Sequence, residues 1–208
     1  MEKVFKDSGV PLAAYAAEVL CACPNCRGPA LVRGRSKCYI AFWVDVARVQ
    51  CLRCSFVKHY NEQWHGPMVG YGRERCGQCG HKWLEVQLKR PTKAPVKQEV
   101  NAICGKCGVD SNIKLKWHRE VFTGEPHDPY FGLPLWLQAD CCGSTLWAYN
   151  GAHLDILKTY LEATQRQRSA NGKWSMITRL PQWMKTAKNR DELLRCVGKL
   201  ERKLKRVD

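Results

Sequence analysis

Hydrophobic positions along this chain follow two different periods, and the change falls beyond its middle. From Lys82 to Lys89 the residues KWLEVQLK set apolar and polar side chains in partial alternation, the pattern of a half-buried strand. Ala30 to Val32 and Cys38 to Val49 are rich in β-branched and aromatic residues, with Gly28, Pro29 and Gly34 as breaks. RPTKAP reads as a loop tip before a return strand into Cys104, and Asn112 to Phe122 reads as a further strand. Val10 to Leu20 is mildly apolar but interrupted by Pro11 and Glu18, which predicts a short amphipathic helix over residues 1–20. After GEPHDPYFGLPL, with Pro126, Pro129 and Pro134, the period becomes helical. Asn150 is suited to cap a helix reaching Arg168, with Leu154, Leu157 and Leu161 on one face and SANG as its stop. A short helix is expected around Pro181-Gln-Trp-Met, with Pro181 in its first turn. Asn189 followed by Glu192 forms a capping pair for a last helix with the stripe Leu193, Leu194, Val197, Leu200 and Leu204.

Cysteine spacing adds a second pattern to the strand half. CPNC, CLRC, CGQC and CGKC place cysteine pairs at Cys23/Cys26, Cys51/Cys54, Cys76/Cys79 and Cys104/Cys107. Between Cys26 and Cys51 lie 24 residues, and between Cys79 and Cys104 lie 24 again, so the second set is the first displaced by 53 positions. A fixed displacement implies one structural unit used twice. Each unit is short, and chains below about 40 residues seldom bury enough apolar surface to fold without a metal, disulfide or partner. Four thiolates on a tetrahedral ion supply that stability, and the two-residue gap lets both sulfurs of a pair reach the same ion. A lone CPNC would fit a redox dithiol, but two matched sets of four, without a strand-helix-strand context, do not. Pairing within each copy is the simpler arrangement; a cross-brace joining Cys23/Cys26 to Cys76/Cys79 is the other.

These knuckles, Cys23-Pro-Asn-Cys26-Arg-Gly, Cys51-Leu-Arg-Cys54, Cys76-Gly-Gln-Cys79-Gly-His and Cys104-Gly-Lys-Cys107-Gly, resemble the zinc ribbons of general transcription factors and RNA polymerase subunits. The resemblance covers about half the chain and implies two structural Zn2+ ions held by the eight cysteines. The expected fold class is α+β, small and metal-stabilised: two tandem zinc β-ribbons (21–66 and 67–122), a connector (123–149) and a basic α-helical C-terminal region (150–208). Zinc ribbons bind DNA, RNA and proteins alike, so the resemblance does not choose a partner.

Charge narrows that choice. The formal net charge is +15, which gathers polyanions and makes nucleic acid the expected partner. From Lys158 to Asp208 there are 14 Lys and Arg against 5 Asp and Glu, so more than half the excess lies in the last quarter. Candidate phosphate contacts are Arg48, Arg53 and Lys58 in the first unit, Arg73, Arg75, Lys82, Lys114 and Lys116 in the second, and Lys199, Arg202, Lys203, Lys205 and Arg206 at the end. Tyr60, Trp83 and Trp117 lie among them as candidate stacking groups, although large aromatics are more often buried. The alternative is a protein–protein adaptor docking on a larger nucleic-acid machine. No run reaches the roughly 18 to 20 apolar residues of a membrane span, and Leu20 before Cys21 does not fit a lipoprotein signal, so a cytoplasmic protein with no membrane partner is expected.

Catalysis finds little footing: acidic residues are scattered, no glycine-rich phosphate loop occurs, and an ion with four thiolates has no open position. An HNH-like nuclease using His127, Asn150 and His153 is the enzymatic alternative, though His127-Asp128 reverses that motif's Asp-His order. Five cysteines remain: Cys21, Cys38, Cys141, Cys142 and Cys196. Burial as small apolar side chains is expected of them, since adjacent cysteines such as Cys141 and Cys142 would point apart in a strand. A third metal site at Cys141/Cys142 is the other reading. His59, His65 and His81 are expected to be surface or supporting residues.

Overall fold

The structure, a computed structural model, describes residues 3–36, 44–60, 64–90, 97–120, 126–168 and 172–207. In chain order its elements are β1 (Val4–Lys6), β2 (Glu18–Ala22), β3 (Pro29–Ser36), β4 (Val44–Cys51), β5 (Val57–His59), β6 (Met68–Glu74), β7 (Leu84–Arg90), β8 (Glu99–Ile103), β9 (Asp110–Lys114), β10 (Lys116–Arg119), β11 (Leu137–Cys141), β12 (Ser144–Ala148), α1 (Gly151–Glu162), β13 (Gln165–Gln167), α2 (Gln182–Lys185) and α3 (Arg190–Leu204). They form a small α+β protein in two units: Met1–Gln63 with Gly124–Asp208, and Trp64–Thr123. Among the described residues no helix is long and apolar enough to cross a membrane.

In the larger unit, β2, β3, β4 and β5 form an antiparallel sheet in that order. Along β4 the side chains of Ala47 and Val49 are buried while Val46, Arg48 and Gln50 face solvent. The buried face of the sheet packs beneath the segment 130–135, where Tyr130, Phe131, Leu133 and Leu135 share one core with Val19, Val32 and Val49. Asp128 shapes this segment: its buried carboxylate accepts from the backbone N–H groups of Tyr130, Phe131 and Leu133 at 2.9, 2.8 and 2.6 Å. Burial pushes its pKa up to about 6, against those three bonds. A second core joins the β11–β12 hairpin to α1 and α3 through Leu137, Leu146, Leu154, Leu157, Leu193 and Leu200.

The smaller unit has β10, β6 and β7 in one antiparallel sheet and β8 with β9 in another. Among the described residues its buried apolar cluster consists of Cys76, Leu84, Cys104 and Ile113, edged by Val86, Val100 and Ala102. Gly72 lies so close to Ile113 that a Cβ there would come within 2.5 Å of its side chain.

Several expectations change. In place of a helix, residues 3–20 hold β1, a 3-10 turn at Leu12–Tyr15 and the start of β2. Pairing with β3 and burial of Val19, Leu20 and Cys21 outweigh the helix propensity of the alanines. Of residues 123–149, expected as a connector, the described ones, 126–149, carry the β11–β12 hairpin and much of both cores. Asn150 caps α1 as expected, accepting from His153 N–H at 2.9 Å, but the helix stops at Glu162 rather than Arg168. There Ala163 turns extended and Gln165–Gln167 pairs in parallel with Val4–Lys6. The strand expected over 112–122 breaks into β9 and β10, where Leu115 N–H instead reaches Gln98 O at 2.7 Å. α3 begins beside Asn189, whose amide donates to Trp183 O instead of capping, while Leu193, Val197 and Leu200 form the buried stripe with Leu194 and Leu204 half-buried. Cys38 and the RPTKAP tip after Arg90 lie outside the described residues.

Candidate metal centres and basic surfaces

Cys23 follows β2, Cys51 ends β4, and each opens a tight turn that returns its partner sulfur to the same point. In the first turn Cys23 N–H donates to Gly28 O and Arg27 N–H to Cys23 O, at 2.8 and 2.9 Å; in the second Cys51 N–H donates to Phe56 O at 2.9 Å. The smaller unit repeats the pattern, with Cys76 N–H on His81 O and Cys104 N–H on Val109 O, both at 3.0 Å. The residue after the second cysteine takes a positive φ in three of the four turns: Arg27 at 58°, Gly80 at 65° and Gly108 at 71°. Glycine adopts that backbone without steric cost.

The sulfurs converge in two quartets, Cys23/Cys26/Cys51/Cys54 and Cys76/Cys79/Cys104/Cys107, each with all four Sγ atoms within 4.8 Å of one another. Pairing is therefore within each copy, and the cross-brace is not formed. The shorter separations are 3.7 Å for Cys23–Cys54, 3.5 Å for Cys26–Cys51, 3.6 Å for Cys76–Cys107 and 3.8 Å for Cys79–Cys104. A tetrahedron of thiolates about 2.3 Å from a central ion has edges of about 3.8 Å, so both quartets have the dimensions of a four-thiolate metal site.

Electrostatics prepare the same outcome. Burial works against ionising Cys51, but the N–H groups of Arg53 and Cys54, each 3.3 Å from its Sγ, outweigh it and bring the pKa down to about 6. Backbone amides of Cys79 and Gln78 likewise bring Cys76 to about 6. Against an amide bond from Phe56, burial and the sulfurs of Cys51, Cys26 and Cys23 push Cys54 up to about 12; against one from Val109, the neighbouring sulfurs and desolvation do the same to Cys107. The first charge in each quartet is easy to create and the last is hard, a difference that a bound cation removes.

The basic candidates fall into three places. Arg48 is exposed on β4 and Arg53 in the turn that follows it, while Lys58 on β5 is half-buried. At the end of α3, Lys199, Arg202, Lys205 and Arg206 are exposed, whereas Lys203 is half-buried and donates to Gln138 O at 2.7 Å. Arg73, Arg75, Lys82, Lys114 and Lys116 are exposed in the smaller unit. There the register of β6 with β7 and β10 sets Tyr71 opposite both Gln87 and Lys116, and Arg73 opposite Glu85. Trp83 enters β7 with φ 68° and stays 44% exposed, and Tyr71 is 41% exposed. The Arg73 guanidinium stands 4.2 Å from the centre of the Trp83 ring and that of Arg75 5.8 Å. Tyr71 was not among the sequence candidates; its position three residues before Glu74, inside a Gly-Tyr-Gly strand, hides it until the register is known. Trp117 is half-buried over Gly70, its indole N–H donating to Lys97 O at 2.8 Å.

The HNH candidates are engaged in structural contacts. Besides capping α1, Asn150 donates to Tyr15 O and Glu18 O at 2.8 and 2.7 Å. His153 is buried, accepts from Tyr149 N–H at 3.1 Å and stacks on Tyr15 with ring centres 5.3 Å apart; desolvation lowers its pKa to about 3. His127 bridges to Pro134 through the backbone. Of the remaining cysteines, Cys21 and Cys196 are buried, as expected, and His59 and His81 are exposed while His65 is buried. No protein-family model, curated protein or solved structure was found to match the chain.

Proposed function

We propose that both quartets hold Zn2+ as structural ions and that the protein is a nucleic-acid-binding factor, acting without catalysis of its own in transcription, replication or mobile-element biology. Zinc is the ion that best suits a closed set of four thiolates at these separations. The observation carrying the partner is the exposed pair Tyr71 and Trp83 among Arg73, Arg75 and Lys116 on a unit with too little apolar core to need them outside for packing. Cations draw in phosphates whatever the sequence, and flat exposed rings add stacking on unpaired bases. That combination favours single-stranded or unpaired nucleic acid over duplex. The basic end of α3 and the Arg48/Arg53 face offer further phosphate contacts. Fluorescence anisotropy with a labelled single-stranded oligonucleotide tests the reading: affinity that falls steeply with added salt supports it. Absence of binding at low salt overturns it in favour of an adaptor that docks on a protein.

A further inference from the structure

At the closed end of the β11–β12 hairpin, three thiols and a carboxylate meet. Cys141 and Ser144 form the last pair of the ladder, leaving Cys142-Gly143 as a two-residue turn with φ 52° and 71°. Hairpins of this kind require positive φ at both central residues and favour Asn-Gly there. Cysteine has no conformational advantage in a left-handed position, where a side chain costs about 1 to 2 kcal/mol. The turn nevertheless brings the two adjacent sulfurs to the same side, 3.9 Å apart, instead of leaving them on opposite faces as in a strand.

α3 completes the group. Its first turn places the Glu192 carboxylate so that Oε1 accepts from Cys142 N–H at 3.1 Å, while Cys141 Sγ lies 3.8 Å from Glu192 O. The two sulfurs and a Glu192 carboxylate oxygen all lie within 4.8 Å of one another. Cys196, one helical turn beyond Glu192, donates to Asp140 O at 3.5 Å and interacts with Cys141. Cys141 is buried, Cys142 half-buried and Glu192 exposed, so the group opens to solvent on one side.

We propose that Cys141, Cys142 and Glu192 form a third metal site, separate from the two quartets, for a zinc-class divalent cation. Two thiolates select a borderline-soft ion, and one carboxylate is a normal zinc ligand. Binding releases one proton from each thiol to solvent, so a dication would leave the three ligands one negative charge in excess. On α3, Arg195 stands three residues beyond Glu192, on the same side of the helix, and its charge offsets part of that excess. Three protein ligands leave a tetrahedral ion one further position, which the quartets do not. The site spends a poor turn residue on a sulfur where Asn would be easier to accommodate.

The test uses the full chain equilibrated by dialysis with saturating free zinc, its bound metal then counted by elemental analysis. Cys142→Asn keeps the turn, because Asn accepts the left-handed backbone, and removes one sulfur; Glu192→Gln removes the charged oxygen without changing shape. Both variants are expected to bind one zinc fewer than wild type, with unchanged Co2+ spectra from the quartets. Equal zinc in all three proteins overturns the proposal. So does a disulfide joining Cys141 to Cys142 or Cys196 in protein purified under reducing conditions, read as a loss of two mass units.

Discussion

The ring of Tyr130 occupies the space above Gly34: a Cβ on Gly34 would lie 2.2 Å from Cζ of the tyrosine. The Tyr130 hydroxyl donates to Ala16 O at 2.8 Å, which fixes the ring in place. This contact ties β3 of the first cysteine unit to a segment far along the chain. Gly34→Ala forces the ring or the strand to move, and overpacking of this kind costs about 1 to 3 kcal/mol. Gly77→Ala and Gly105→Ala, which meet nothing within 4 Å, are expected to stay within about 0.5 kcal/mol of wild type. Urea unfolding midpoints at constant slope check both halves of the prediction.

The same contact marks the limit of what the sequence reveals. The eight candidate ligands are legible because their spacing recurs, and the last helix is legible because Leu193, Val197 and Leu200 follow a helical period. Neither signal depends on a distant partner. β2 is different: AAYAAEVL favours helix locally, and its strand exists because β3 lies beside it. Nor does composition announce that Tyr130, Phe131, Leu133 and Leu135 return to cover the first sheet. Cys141 and Cys142 look like neighbours pointing apart until the positive φ of Cys142 is known.

Metal removal should separate the two units. Among the described residues the smaller one's apolar cluster has four buried members, two of them ligand cysteines, so its fold rests on its quartet. The larger has two extended cores independent of the ligands in most of their members. A strong chelator is expected to abolish hydrogen-exchange protection in β6 to β9 while α1 and α3 keep theirs. Protection surviving in β6 to β9 without metal would contradict this.

Stacking and charge make different signatures in binding. Trp83→Ala and Tyr71→Ala are each expected to weaken binding of a single-stranded oligonucleotide by about 1 to 3 kcal/mol, leaving the salt dependence unchanged. Arg75→Ala and Lys116→Ala should each reduce the slope of log K against log salt, by about 0.7 per lost phosphate contact. Anisotropy titrations across a salt series distinguish the two behaviours; a slope that moves with Trp83 and not with Arg75 would reverse the assignment.

His153 makes stability depend on acid. Its pKa is lowered by burial to about 3 in the fold, against about 6.5 when unfolded, so between those values the unfolded chain binds the extra proton. Stability contributed by the neutral ring is complete above the unfolded value and is lost as pH falls toward 3. Relative to His153→Phe, the wild-type unfolding free energy should fall by about 1.4 kcal/mol for each unit that pH is lowered through the middle of that window. Parallel pH profiles for the two proteins would refute the assignment.

The most direct measurement of the central claim is zinc per chain in purified wild type, Cys26→Ser and Cys79→Ser. Cys26 and Cys79 are both exposed, so serine there removes a ligand without opening a hole in a core. Each variant is expected to hold one zinc fewer than wild type, and the double variant two fewer. A wild type without zinc, or variants that hold as much as wild type, would contradict the claim that the cysteine quartets are metal sites.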